Sequence, residues 1–225
     1  MVSAEDLGIV WLTLRIAALA TALMTPLAVA AGLALARYRG PGKALAETLL
    51  SLPLVLPPTA VGFLLLEALS PVAGPGRWLH DRGVDVVFTW KGALLATGVM
   101  AFPLFVRSAR TAFEEVDPRL VGVARTLGCG PLAAFFRITL PVAWRGVLAG
   151  MVLAFSRALG EFGATVLVAG SIPGRTRTLA LAIFHYVQSG QEDRARTLAG
   201  VTAALAFVAL WAAEWISRRH ARRTT

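Results

Sequence analysis

From Ile16 to Ala36 the chain runs for 21 residues without a charged side chain. A helix of that length, at ~1.5 Å of rise per residue, covers the ~30 Å hydrocarbon core of a bilayer. Further runs follow the first. Thr48 to Leu66 is equally continuous, and Gly92 to Val106 is shorter but bounded by Trp90-Lys91 and Arg107, which suits interfacial anchoring. Gly146 to Gly170 is interrupted only by Arg157 and Glu161, and Leu198 to Ala213 has Trp211 and Trp215 near its end. With 56% hydrophobic residues, 16% charged and a mean hydropathy of +0.67, the composition is too apolar for an ordinary water-soluble domain. The sequence therefore predicts an all-α integral membrane protein, one domain over residues 1–225. Its five transmembrane helices are expected at about 10–36, 46–69, 91–110, 144–170 and 197–217.

Five spans place the termini on opposite sides, and the basic residues of the connections choose the orientation. One side holds thirteen: Arg37, Arg39, Lys43, Arg107, Arg110, Arg119, Arg125, Arg137, Arg145, Arg218, Arg219, Arg222 and Arg223. The other holds seven: Arg77, Arg82, Lys91, Arg175, Arg177, Arg194 and Arg196. The richer side is expected to face the cytoplasm, with Met1 outside and Thr225 inside. Scattered over loops in this way, the net charge of +9 reflects topology and argues against a nucleic-acid partner. The acidic start, Glu5-Asp6, and the length of the first run speak against a cleaved signal peptide, so that span is expected to be retained. The lone Cys129 excludes an internal disulfide or cysteine metal cluster. His80, His185 and His220 are far apart, and neither H-E-x-x-H nor the G-x-x-x-x-G-K-[ST] phosphate loop occurs. Neither a catalytic residue nor a metal site is expected.

Two constellations fall at membrane depth. Leu52-Pro53-Leu54-Val55-Leu56-Pro57-Pro58-Thr59 has three prolines in six residues, which reads either as a static kink or as a pore-lining break. In both cases the freed carbonyls require protein or water as neighbours, so the helix should not face lipid. Arg157 and Glu161, four apart, share a helix face and can pair. Charges at this depth normally face a bundle interior or an aqueous cavity, so the pair is either a structural tie or a cation that favours an anion's passage. Ser156 and Thr165 either offer hydroxyls to an oxyanion or bond their own helix backbone. Gly146-x-x-x-Gly150 supports close helix packing, such as across a dimer. Around these, a short turn is expected near Trp78 to Arg82, and the ten apolar residues from Thr178 to Val187 suit an interfacial or re-entrant helix.

Between the third and fourth spans, at about 117–141, lies a polar, Arg-rich loop. It contains Ala124-Arg125-Thr126-Leu127-Gly128 followed by Ile138, Leu140 and Pro141. The spacing Gly-x9-Ile-x-Leu-Pro resembles the coupling loop of ABC-importer permeases. The resemblance implies a short helix, a Gly turn and a second helix that dock into a groove of an ATP-hydrolysing subunit. One departure is Gly122-Val123-Ala124 where that family opens with Glu-Ala-Ala, and Gly weakens a helix by ~1 kcal/mol relative to Ala.

Ser156 to Ala164, Val168 to Leu179, Leu52 to Phe63 and Phe102 to Arg107 together resemble the molybdate permeases, with sulfate and tungstate permeases as neighbours. This covers nearly the whole chain, about Leu12 to Arg218. It implies a subunit of the bacterial inner membrane that imports molybdate (alternatively tungstate or sulfate) and is not itself an enzyme. The implied partners are a second copy of the chain, two copies of an ATPase holding ATP and its magnesium, and a periplasmic or lipid-anchored oxyanion-binding protein. The candidate translocation residues are Pro57, Pro58, Thr59, Ser156, Arg157 and Glu161. A stand-alone secondary transporter is the remaining alternative, but it would need no patterned docking loop, and many such folds show internal repeats that are missing from this sequence.

Overall fold

A computed structural model describes residues 3–72 and 74–221; Met1, Arg222, Arg223 and Thr225, used above for charge and sidedness, lie outside the described residues. Among the described residues eleven α-helices follow in order: α1 (Ala4–Arg37), α2 (Lys43–Val55), α3 (Pro58–Leu69), α4 (Gly74–His80), α5 (Trp90–Glu114), α6 (Pro118–Thr126), α7 (Pro131–Ala134), α8 (Leu140–Leu159), α9 (Gly163–Ala169), α10 (Leu179–Gln188) and α11 (Glu192–Ala221). One π-helical turn, Phe135–Thr139, joins α7 to α8.

The body is built on α1, α5 and α8, which pack on one another around Met24, Ala28, Phe105, Ala109 and Ala154. Small residues permit the approach. A Cβ on Gly32 would stand 2.9 Å from that of Ala109, and one on Gly150 would stand 2.8 Å from that of Ser108. Gly146 likewise meets Ala112, so the Gly146–Gly150 pair serves packing within the protomer, against α5.

Among the described residues α1, α5, Pro131–Leu159 and Glu192–Ala212 are each long and apolar enough to cross a membrane. A fifth crossing exists only as α2 plus α3, bent by 105°. Of the two readings of the prolines in the span expected over 46–69, the geometry is that of a break: Pro57 and Pro58 bring no N–H, so the carbonyls of Pro53 and Leu54 have no helical donor and the helix cannot continue. The span expected over 144–170 is also divided. α8 stops at Leu159, Gly160 turns the chain, and α9 begins at Gly163.

At the opposite end of α1 from Arg37, Ser3 and Asp6 form a reciprocal cap, each side chain accepting the other's amide (3.2 and 2.9 Å). Arg194 at the start of α11 bonds the buried Asp6 carboxylate at 2.9 Å and lies over the Tyr186 ring of α10. The Leu179 amide donates to Thr13 Oγ1 at 2.8 Å. The ten-residue α10 is thereby held between α1 and α11, too short to span. In the loop after α3, the turn expected at Trp78 to Arg82 is a helix that starts earlier, at Gly74, and Arg82 folds over the Trp78 ring.

Candidate functional site

The two broken spans meet. α3 packs on α9 so closely that a Cβ on Gly62 would lie 2.8 Å from the Ala164 Cα, and one on Gly163 would lie 2.7 Å from the Pro58 Cβ. Pro58 and Thr59, at the first break, therefore stand beside the second break at Gly160 to Phe162. Pro57, Pro58 and Thr59 are exposed on the protomer, and Val55 before them is 80% exposed. In a bilayer the unbonded carbonyls of this break must meet protein or water.

Glu161 holds the second break together. Its Oε2 pairs with Arg157 Nη1 at 2.7 Å on the last turn of α8, and its Oε1 accepts the Ala164 amide at 3.0 Å in the first turn of α9. A carboxylate at a helix start satisfies an orphan donor and complements the helix dipole. Glu161 is only 3% exposed, whereas the Arg157 side chain keeps 31% of its surface open. The carboxylate is thus a structural tie, and the guanidinium retains unengaged donors. Ser156 Oγ and Thr165 Oγ1 are buried with no hydrogen-bond partner among the described residues. Thr13, Thr21, Thr25, Thr111 and Thr202 behave otherwise, each donating to the carbonyl four residues back.

The loop site lies at the other end of α5. Asp117 caps α6 by accepting the Arg119 amide at 2.8 Å. At its far end Gly128 has φ +86°, a left-handed backbone that a Cβ disfavours by roughly 1–2 kcal/mol. The Gly128 amide returns to the Arg125 carbonyl and the Cys129 amide to that of Ala124, which closes the helix. The second helix is not independent: from Pro131 it passes through the π-turn into α8. The eight patterned residues divide by role. Ala124 is buried and Leu140 packs on the core, while Arg125, Thr126, Leu127, Gly128 and Pro141 are exposed and Ile138 is half-buried. Leu127 is 79% exposed, and Leu120, Val123, Leu132 and Phe136, which the spacing did not single out, add to an apolar outer face. Their legible signal was apolar side chains within a polar, Arg-rich loop. Gly122 meets nothing where its Cβ would stand, so packing does not require glycine there.

Behind this loop Lys43, Glu47, Arg110 and Glu114 form an ionic ring joining α2 to α5. Arg110 reaches both carboxylates at 2.8 Å, and Lys43 reaches Glu114 at 3.6 Å. At the other end of the molecule Arg15, which the charge count passed over as part of a span, stacks on Trp90 with its guanidinium carbon 5.3 Å from the ring centroid.

Residues 25–222 match the family model described as binding-protein-dependent transport system inner membrane component. The chain is 44% identical over 211 residues to the molybdenum transport system permease protein ModB of Escherichia coli (strain K12), covering 93% of this chain and 92% of that one. It is 36% identical over 190 residues to the sulfate transport system permease protein CysT of the same organism, covering 84% and 68%. Its fold is similar to a chain of the bacterial alginate ABC transporter solved in complex with a periplasmic protein bound to alginate pentasaccharide. The TM-score is 0.75 at 19% identity, with coverage of 96% of this chain and 80% of that one.

Proposed function

The chain belongs to the family of binding-protein-dependent transport system inner membrane components, and from that premise we propose that it is the membrane-spanning subunit of an ABC importer for molybdate. The observation that carries the substrate is the 44% identity along 93% of the chain to a molybdenum permease. Sulfate is the second reading, favoured by the lower and shorter match to a sulfate permease.

Two copies of the chain would form the pore. The exposed break at Pro57 to Thr59 supports this, because its carbonyls need a protein or aqueous neighbour that one protomer does not supply. Two copies of a separate ATPase would hold ATP and magnesium, and a periplasmic binding protein would deliver the anion. The apolar outer face of α6 and the π-turn, with Arg125 at its edge, suits seating in a groove of such an ATPase. Closure of the ATPases would carry α6 inward, and continuity from Pro131 through α8 gives that motion a rigid path to Arg157 and Glu161. Alternating access follows if the dimer has two packings that nucleotide and binding protein favour differently. Arg157, with donors to spare, would keep the path from repelling an anion.

ATP-driven uptake of radiolabelled molybdate into proteoliposomes, with an ATPase and a binding protein from the same organism, tests the reading. Uptake should need all three components and resist excess sulfate. Uptake without the ATPase would refute the importer assignment, and equal competition by sulfate would move the substrate to the second reading.

A further inference from the structure

A cavity of about 590 Å³ opens between the C-terminal ends of α1 and α5 and the inner side of α6. Arg37, Arg39, Lys43 and Arg125 line it, with Thr139 and a single carboxylate, Glu114. The four cations come from three stretches of chain: the last turn of α1, the turn into α2, and α6. Glu114 is already engaged by Arg110 at 2.8 Å and Lys43 at 3.6 Å. Asp117, beside the cavity wall at Pro118, turns its carboxylate to the Arg119 amide. Arg37 Nη2 donates to Thr139 Oγ1 at 3.4 Å, which orients one guanidinium along the wall. Arg39 and Arg125 have no carboxylate partner among the described residues.

Like charges gathered from separate elements repel unless an anion joins them, and a concave wall strengthens that attraction. The planar guanidinium fork matches a tetrahedral oxyanion in two-point hydrogen bonds, and basic pockets on the cytoplasmic side of membrane helices accept lipid headgroups. We propose that this cavity binds a tetrahedral oxyanion, the phosphodiester of an anionic lipid or a free oxyanion, and that the bound anion ties Arg125 of α6 to Arg37, Arg39 and Lys43 of the body. Occupancy then stiffens the joint between the docking loop and the membrane helices. That consequence rests on the coupling role given to α6 above; the binding itself does not. By linkage, whatever moves α6 changes the anion's affinity by the factor through which the anion resists the movement.

The test uses the full-length permease in phosphatidylcholine nanodiscs, with an environment-sensitive dye on Cys129, four residues beyond Arg125. One arm titrates inorganic phosphate and molybdate, and the other adds phosphatidylglycerol to the disc, with retained lipid counted by native mass spectrometry. Arg39→Ala/Arg125→Ala removes two exposed, unpaired guanidinium groups, so folding should be unaffected, and a thermal scan verifies that. Arg119→Ala/Arg137→Ala removes equal charge from the same loop outside the cavity. Saturable binding in either arm is expected, the responding arm naming the source. It should weaken by roughly tenfold or more in the cavity variant, since one charge-assisted hydrogen bond alone accounts for about that much. The control variant should bind as wild type. Absence of saturable binding in both arms, or equal loss in the two variants, would each overturn the proposal. Failure of molybdate uptake with anion binding intact would instead sink the importer reading and leave the site standing.

Discussion

Glu161 shows what a single residue does at a break. The spacing from Arg157 was legible as an ion pair, but Gly160 alone was too weak a signal to show that the helix would stop at Leu159 and leave the carboxylate to start another. Local pairing follows from a four-residue offset; the stop falls at Gly160, and the helix that follows it packs on α3. Glu161→Gln keeps an acceptor for the Ala164 amide and withdraws the charge from Arg157. Removing one partner of a fully buried pair costs ~3–5 kcal/mol, and the open third of Arg157 moves the expected loss to the low end of that range or below it. Glu161→Ala should cost about 1 kcal/mol more, since it also removes the cap. Thermal unfolding in detergent measures both, and equal stability of the two variants would contradict the capping role. Arg157→Met/Glu161→Leu should restore assembly by removing both charges. If that double variant also transports molybdate at the wild-type rate, Arg157 has no part in the path.

Among the elements, hydrophobic runs revealed where helices lie better than where they end. Three prolines marked the break between α2 and α3, whereas the break between α8 and α9 lies in an apolar stretch whose only clue was Gly160. The two segments are held by small residues, and this can be tested without touching any charge. At Gly62 an added Cβ would stand 2.8 Å from the Ala164 Cα and 2.9 Å from its carbonyl oxygen, both backbone atoms that no rotamer change can move. Overpacking of this kind costs typically ~1–3 kcal/mol. Gly62→Ala should therefore lower stability by that amount and push α3 from α9, while Gly122→Ala, on an open face of α6, should be neutral or stabilising by up to ~1 kcal/mol. Both changes are read from unfolding midpoints. In the docking loop, Gly128→Val should leave membrane insertion intact but disturb the left-handed turn, so that ATP turnover no longer drives uptake. Wild-type uptake by that variant would remove α6 from the coupling role.

For the whole molecule the sequence pattern conveyed class and family far better than assembly. A resemblance along nearly the full chain pointed to a permease, yet the faces that a second copy would cover are apolar in the same way as faces that lipid covers. Sidedness is different, because it is predicted from charge alone: thirteen basic residues against seven lead us to expect the α6 loop on the cytoplasmic side. The protein carries its own probe for this. Cys129 is the only thiol in the chain and sits, half-buried, in the loop itself. A membrane-impermeant maleimide should label the unmodified protein in inside-out vesicles and not in intact spheroplasts. Docking of the ATPase should then protect it, since Leu127 and Leu132 on either side belong to the exposed apolar face. Labelling from the outer side alone would reverse the orientation and, with it, the docking argument. Labelling from inside that the ATPase does not slow would keep the orientation but place the ATPase contact elsewhere on the cytoplasmic surface.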